Sequence, residues 1–112
     1  MKIYKHEYYP SDGKIRTIEI DVEEKPKSYT IIGRKAGVWE SRILKEDIGK
    51  LDGRYTKKMF TLTDDITEFL KAIIDRVDTH IKYVKEDLEK SANEKSNLLK
   101  LLDEITTEED GE

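Results

Sequence analysis

The hydrophobic period of this chain changes once, near Thr63, and does not change back. Before that point apolar side chains recur at every second residue, as in half-buried strands; after it they recur at every third or fourth, as along one face of a helix. "KIRTIEIDVE" shows the first regime, with Ile18, Ile20 and Val22 on one face and Thr17, Glu19, Asp21 and Glu23 on the other. "TDDITEFLKAIIDRV" shows the second. Strand upon strand followed by helix predicts an α+β fold, an N-terminal antiparallel sheet of about five strands and then a long C-terminal helical region, straight or kinked. A chain of 112 residues suffices for one modest core. A single α+β domain is therefore expected over 1–106, followed by an acidic disordered tail over 107–112. The last ten residues carry six acids and no base, which suits a solvated end.

Turn chemistry divides the first regime. "PSDG" after "KIYKHEYY" predicts a first hairpin, and Pro26 in "EEKPK" ends the second strand. "SYTIIG" begins a third strand that stops at Gly33, and "VWESRIL" returns as a fourth, leaving Arg34 to Gly37 as the connection. Lys45 to Gly53 reads as a turn-rich link. "RYTKKMFTL" then forms a fifth strand, burying Tyr55, Met59 and Leu62. Ile15 falls out of step with Ile18, Ile20 and Val22, which predicts a bulge or a late strand start.

In the second regime Thr63 or Asp64 caps the helix, and Ile66, Phe69, Leu70, Ile73, Ile74 and Val77 make a stripe wide enough to cover a sheet. The stripe narrows to Ile81, Val84 and Leu88, then returns at Leu98, Leu99, Leu101, Leu102 and Ile105. Its narrow part has the look of a coiled-coil seam. A straight helix from Asp64 to Ile105 would run about 63 Å at about 1.5 Å per residue, far beyond the roughly 13 Å radius of gyration of a compact domain this size. Either it breaks, near Asp78–His80 or at a Ser91/Glu94 capping box, or it projects and pairs with another copy. Self-association is the expectation, with Val84, Leu88, Leu98 and Leu102 at the interface.

Charge and motif content narrow the function classes. With no cysteine the chain has neither disulfides nor thiolate metal sites. The start, Met1 to His6, is followed by no apolar run of the kind a secretion signal has, and no stretch approaches the roughly 20 apolar residues of a membrane span. A cytoplasmic, membrane-free protein is expected. His6 and His80 are the only imidazoles; no phosphate-loop, zinc-helix or nucleophile-elbow motif occurs, so no enzyme, cofactor or metal is expected. Net charge is −4, yet Arg34 to Lys58 carries eight cations against four acids. A basic segment on an acidic chain suits a small anionic ligand better than duplex nucleic acid.

Within that segment Arg34, Lys35, Arg42 and Arg54 are phosphate-type donors, while Trp39 and Tyr55 offer flat faces to a base. Gly33 and Gly37 allow close backbone approach. The plainer account is that hairpin tips need glycine, exposed strands carry Arg and Lys, and a lone Trp usually sits in a core. Only the concentration of these residues in one segment favours a ligand site.

"VEEKPKSYTIIG", "SRILKEDIGKLDGRY" and the Lys/Glu-rich helix resemble small proteins encoded by phages and prophages of Gram-positive hosts. In style the chain is similar to the Thoeris anti-defence proteins. That resemblance, in element order and size, implies an oligomeric sponge that sequesters a cyclic or ADP-ribose-derived nucleotide without turning it over. It carries over no ligand residue. An alternative of another class is a protein inhibitor or adaptor of anti-CRISPR type, using its acidic helix and tail against a basic host surface.

Overall fold

A computed structural model describes residues 1–110 of the chain, with side chains as far as Thr107. Five strands, β1 (Lys2–Tyr9), β2 (Lys14–Glu24), β3 (Ser28–Ile31), β4 (Arg42–Leu44) and β5 (Lys57–Thr61), precede one helix, α1 (Thr67–Asp110). All strand pairs are antiparallel, in the order β4-β3-β2-β1-β5, so the α+β expectation holds. No helix among the described residues is long and apolar enough to cross a membrane.

The β1–β2 hairpin turns at Pro10–Gly13, where Gly13 takes a φ of 66° and donates to the Tyr9 carbonyl at 2.9 Å. Pairing runs without interruption from Lys2↔Asp21 to Tyr9↔Lys14. There is thus no bulge at Ile15. Ile15 is out of step with Ile18 and Ile20 because it lies on the opposite face, and both faces are covered. One face buries Ile3, Ile20, Val22, Tyr29, Ile43 and Phe60. The other buries Met59 against Phe69 and Ile73 of α1, with Tyr8 and Ile15 alongside.

β5 differs from its expected form. It begins at Lys57, leaving Tyr55 in a turn and Leu62 beyond the strand end, both exposed. Its buried residues are the adjacent pair Met59 and Phe60, which point to opposite faces of a sheet covered on both sides. β3 and β4 are also shorter than "SYTIIG" and "VWESRIL" suggest, because residues 32–41 leave the sheet as a loop.

At the start of α1 the side chain that meets the backbone is that of Asp65, one residue before the N-cap position Ile66, rather than Thr63 or Asp64. Its carboxylate accepts from the Thr67 backbone N–H at 2.9 Å and from the Thr67 hydroxyl at 2.7 Å, while the Ile66 carbonyl accepts the first helical bond, from Leu70. Those two bonds from Thr67 hold the Asp65 carboxyl below the usual range. Of the wide stripe, only Phe69 and Ile73 are buried; Leu70, Ile74 and Val77 are exposed, since the covered patch of sheet is no wider than Met59, Tyr8 and Ile15.

The helix is unbroken at both Asp78–His80 and Ser91. No Gly or Pro lies within it, and Thr79 donates its hydroxyl back to the Asp75 carbonyl at 3.0 Å, a bond that continuous helix accommodates. The chain divides into two compact units, Met1–Ile74 and a second starting at Asp75. The core of the first ends with Ile73, and every residue from Ile74 to Thr107 is exposed. Of the expected tail, residues 107–110 are helical and 111–112 lie outside the described residues.

Phe69 is fully buried at the centre of the helix-side cluster. Phe69→Ala should lower the stability of the sheet unit by about 3–5 kcal/mol in urea denaturation. A loss under about 1 kcal/mol would show that the helix start is not packed there.

A lysine-pinned loop and its clefts

Alternation along β1 places Ile3, Lys5 and Glu7 on the face away from α1. Lys5 is therefore a cation on a largely hydrocarbon surface, only 3% exposed. Such a group is tolerated when its three donors find acceptors. The loop 32–41 supplies them. Lys5 Nζ donates to the Gly37 carbonyl at 2.8 Å and pairs with Glu40 Oε1 at 3.3 Å. Glu40 Oε1 also takes Lys58 at 3.0 Å, and both ammonium groups lie about 6 Å from the Phe60 ring centroid, within cation–π reach.

Local sequence bends the loop to meet Lys5. Val38 N–H donates to the Lys35 carbonyl at 3.1 Å with Gly37 third in the turn at φ 83°, the geometry of a type II turn. A Cβ on Gly37 would sit 2.8 Å from Ile18 Cδ1. Its close backbone approach is thus to the protein's own sheet and not to a ligand. Lys35 Nζ, in turn, donates to the Glu19 carbonyl on β2. The loop is fastened at residues 35, 37 and 40.

Glu40 remains a carboxylate. Burial pushes its pKa up, but the bond from its own backbone N–H and those from Lys58 and Lys5 outweigh that and hold it below the usual range. Between these fastened residues stands Trp39, 90% exposed, with only its backbone N–H engaged, by Glu40 Oε2 at 3.1 Å.

The expected ligand residues fall into three groups. Arg34, Lys35 and Trp39 line one open cleft of about 570 Å³, floored by Val38 and Ile31. Arg42 lines a different cleft of about 570 Å³, with Lys50, Lys58 and Phe60. Arg54 and Tyr55 belong to an exposed turn whose ends, Gly53 and Thr56, line a third cleft of about 450 Å³ together with Lys5, Glu7 and Lys58. Trp39 borders both the first and the third. Lys5, Glu40 and Lys58 are functional neighbours that the local sequence does not mark, except that Lys5 occupies an apolar step of β1.

On the opposite face His6 is fully buried beneath Phe69, ring centroids 5.7 Å apart. Its Nδ1 lies 2.9 Å from Thr17 Oγ1 and its Nε2 2.7 Å from Thr61 Oγ1. Because the Thr61 hydroxyl donates to the Thr63 carbonyl at 2.6 Å, it accepts from the imidazole, which assigns the proton to Nε2 and leaves Nδ1 to accept from Thr17. Both nitrogens are committed to structure. His80, by contrast, is exposed on α1. Among the described residues no group of three or more His, Asp or Glu could hold a metal ion.

No family model, curated protein or solved structure matches this chain. Its function has to be read from its own residues.

The surroundings of His6 and Glu40 each set a measurable outcome. Burial pushes the His6 pKa below 6.5, against smaller upward effects of the Thr63 backbone, Asp64 and Asp65. The unfolded chain then binds more protons than the folded one between the folded value and 6.5, so stability rises with pH across that window and is lost as pH falls through it. His6→Gln should flatten this slope in denaturation midpoints; equal slopes would mean that His6 is not the group titrating. For the loop, Glu40→Gln leaves Lys5 without its counter-charge and should cost about 3 kcal/mol. It should also lower the fluorescence anisotropy of Trp39, the chain's single Trp, before global unfolding. An unaltered anisotropy would show that Glu40 does not hold the loop.

Proposed function

We propose that this chain is a non-catalytic binding protein that takes a small anionic nucleotide between Trp39 and the cations Arg34 and Lys35. The observation that carries the reading is Trp39, 90% exposed on a loop held by a buried lysine and a half-buried glutamate. An indole left in water on a tethered loop presents a preorganised stacking face, and preorganisation lowers the ordering cost of binding. Arg34 makes no side-chain bond among the described residues and has its guanidinium free for bidentate phosphate contact. Glu40 also lines this cleft, but its charge is met by Lys5 and Lys58. Arg42, Arg54 and Tyr55 lie outside it and are assigned no direct contact.

The resemblance to phage anti-defence sponges supplies the biological sense: a cyclic or ADP-ribose-derived signal held without turnover is a signal sequestered. Self-association through α1, with Val84, Leu88, Leu98 and Leu102 in the interface, belongs to the same reading. Imitation of nucleic acid by an acidic helix is less well supported, because an apolar seam interrupts the charged surface along α1.

Trp39 makes the test direct. Titration with cyclic dinucleotides, cyclic ADP-ribose and ADP-ribose should quench its fluorescence for at least one of them, and the nucleotide should be recovered intact. At about a hundred times Kd that ligand should stabilise the protein by about 2.7 kcal/mol in melting. Arg34→Ala, which leaves the bond from Lys35 to the Glu19 carbonyl in place, should remove both effects. Neither quenching nor stabilisation by any of these nucleotides would end the proposal.

A further inference from the structure

From Val77 to Ile105 the positions along one stripe of α1 step alternately by four and three residues through four heptads. On a straight helix of about 3.6 residues per turn a seven-residue repeat drifts by about 20° per heptad, so it stays on one face only if the helix winds around another helix. A flat sheet or a globular surface would not select this repeat. Every apolar seam residue is exposed: Ile81, Val84 and Leu88 before the midpoint are 44%, 51% and 68% accessible, and Leu98, Leu102 and Ile105 after it are 58%, 58% and 55%. The step order makes Ile81, Leu88, Lys95 and Leu102 a positions and Val77, Val84, Ser91, Leu98 and Ile105 d positions.

We infer that α1 beyond Asp75 pairs with α1 of a second copy of this chain, parallel and in register, with Lys95 of each copy seated against Glu94 of the other. This deepens the self-association within the proposed function and rests on that part of it alone. In a parallel coil an a side chain enters a hole bordered by the partner's preceding g residue. Here that residue is Glu94, so two equivalent Lys95–Glu94 pairs form across the two-fold axis. The shift of one heptad would set Lys95 against Leu88 or Leu102, placing an ammonium among leucines. Register is thereby specified by the same polar layer, Ser91 and Lys95, that interrupts the apolar run.

Orientation follows from the flanks. An antiparallel pair in the register that overlaps the whole seam sets g against g, so that Glu94 meets the partner's Glu94, acid facing acid. A parallel pair sets g against e, so that Asp87 meets Ala92 and Glu94 meets Leu99. It sets no acid against acid. Stoichiometry follows from Lys95. β-branched d positions such as Val77, Val84 and Ile105 would by themselves favour three or more strands. In a larger bundle, however, every Lys95 would be sealed on the axis, whereas in a two-stranded coil it reaches the rim.

The absence of native cysteine makes the test simple. Leu98→Cys, at a d layer, should oxidise to a covalent dimer without denaturant, and the unmodified protein should sediment as two copies. Lys95→Glu alone, and Glu94→Lys alone, should each weaken dimerisation by at least about tenfold. The double charge swap should restore it. All these positions are exposed in the single chain, so the sheet unit should keep its Trp39 emission throughout. A monomer, a larger assembly, a dimer whose Leu98→Cys variant does not cross-link, or a double swap no better than the single ones would each overturn the inference. Dimerisation that meets every one of these criteria without any nucleotide binding would sink only the reading of the Trp39 cleft.

Discussion

The ammonium of Lys5 governs the face of the sheet on which the candidate site lies. Removing an unpaired cation from water costs several kcal/mol, more than a chain of this size can spare from a total stability of about 5–15 kcal/mol. Its acceptors, the Gly37 carbonyl and the Glu40 carboxylate, are both in the loop 32–41. The loop must therefore close over the sheet for β1 to hold its register, and Trp39, between the two acceptors, is held at the surface as a consequence. Gly37 makes the closure sterically feasible: its positive φ and missing Cβ let the backbone come down onto Ile18. An exposed aromatic ring here is the by-product of satisfying a buried charge, and that gives it a fixed address.

Much of the fold was legible because it depends on neighbours in sequence. The alternation in β2, the turn at Pro10–Gly13 and the change of period before α1 are local signals, and each reappears in the structure. Ile15 and Phe60 escape the sequence pattern for one shared reason: two-residue alternation assumes a single apolar face, and this sheet has two. Ile15 and Met59 meet the helix, while Ile18 and Phe60 meet the loop side. Arg34, Lys35 and Trp39 share a cleft because they share a turn, and nearness in sequence was enough to group them. The residues that fasten the loop could not be grouped that way. Glu40 is 35 positions from Lys5 and 18 from Lys58, and only strand pairing brings the three together.

The continuity of α1 illustrates a different limit. Ser91 with Glu94 satisfies the pattern of a capping box, yet the same residues occupy ordinary positions in an unbroken helix. A capping pattern acts only where a chain has a reason to stop, such as Gly, Pro or a surface to turn against, and this segment contains neither Gly nor Pro. In the coil inferred for α1, Ser91 would be a small polar d residue next to a charged a residue, so the same residues that resemble a helix break would form a polar layer in the seam.

The two units face opposite physical problems. Residues 1–74 bury both faces of a five-stranded sheet, and of the large apolar groups they leave exposed Trp39 is the most accessible. Among the described residues the helix beyond Asp75 buries nothing within one chain and keeps its leucines and isoleucines in water. Helix propensity alone contributes only tenths of a kcal/mol per residue, whereas covering one such side chain contributes roughly 1.5–3 kcal/mol. A cover over its seam would therefore contribute more to the stability of the second unit than helix propensity does. If that cover is a second copy, the order of the helix depends on protein concentration, while the order of the Trp39 loop, set inside one chain by Lys5 and Glu40, does not.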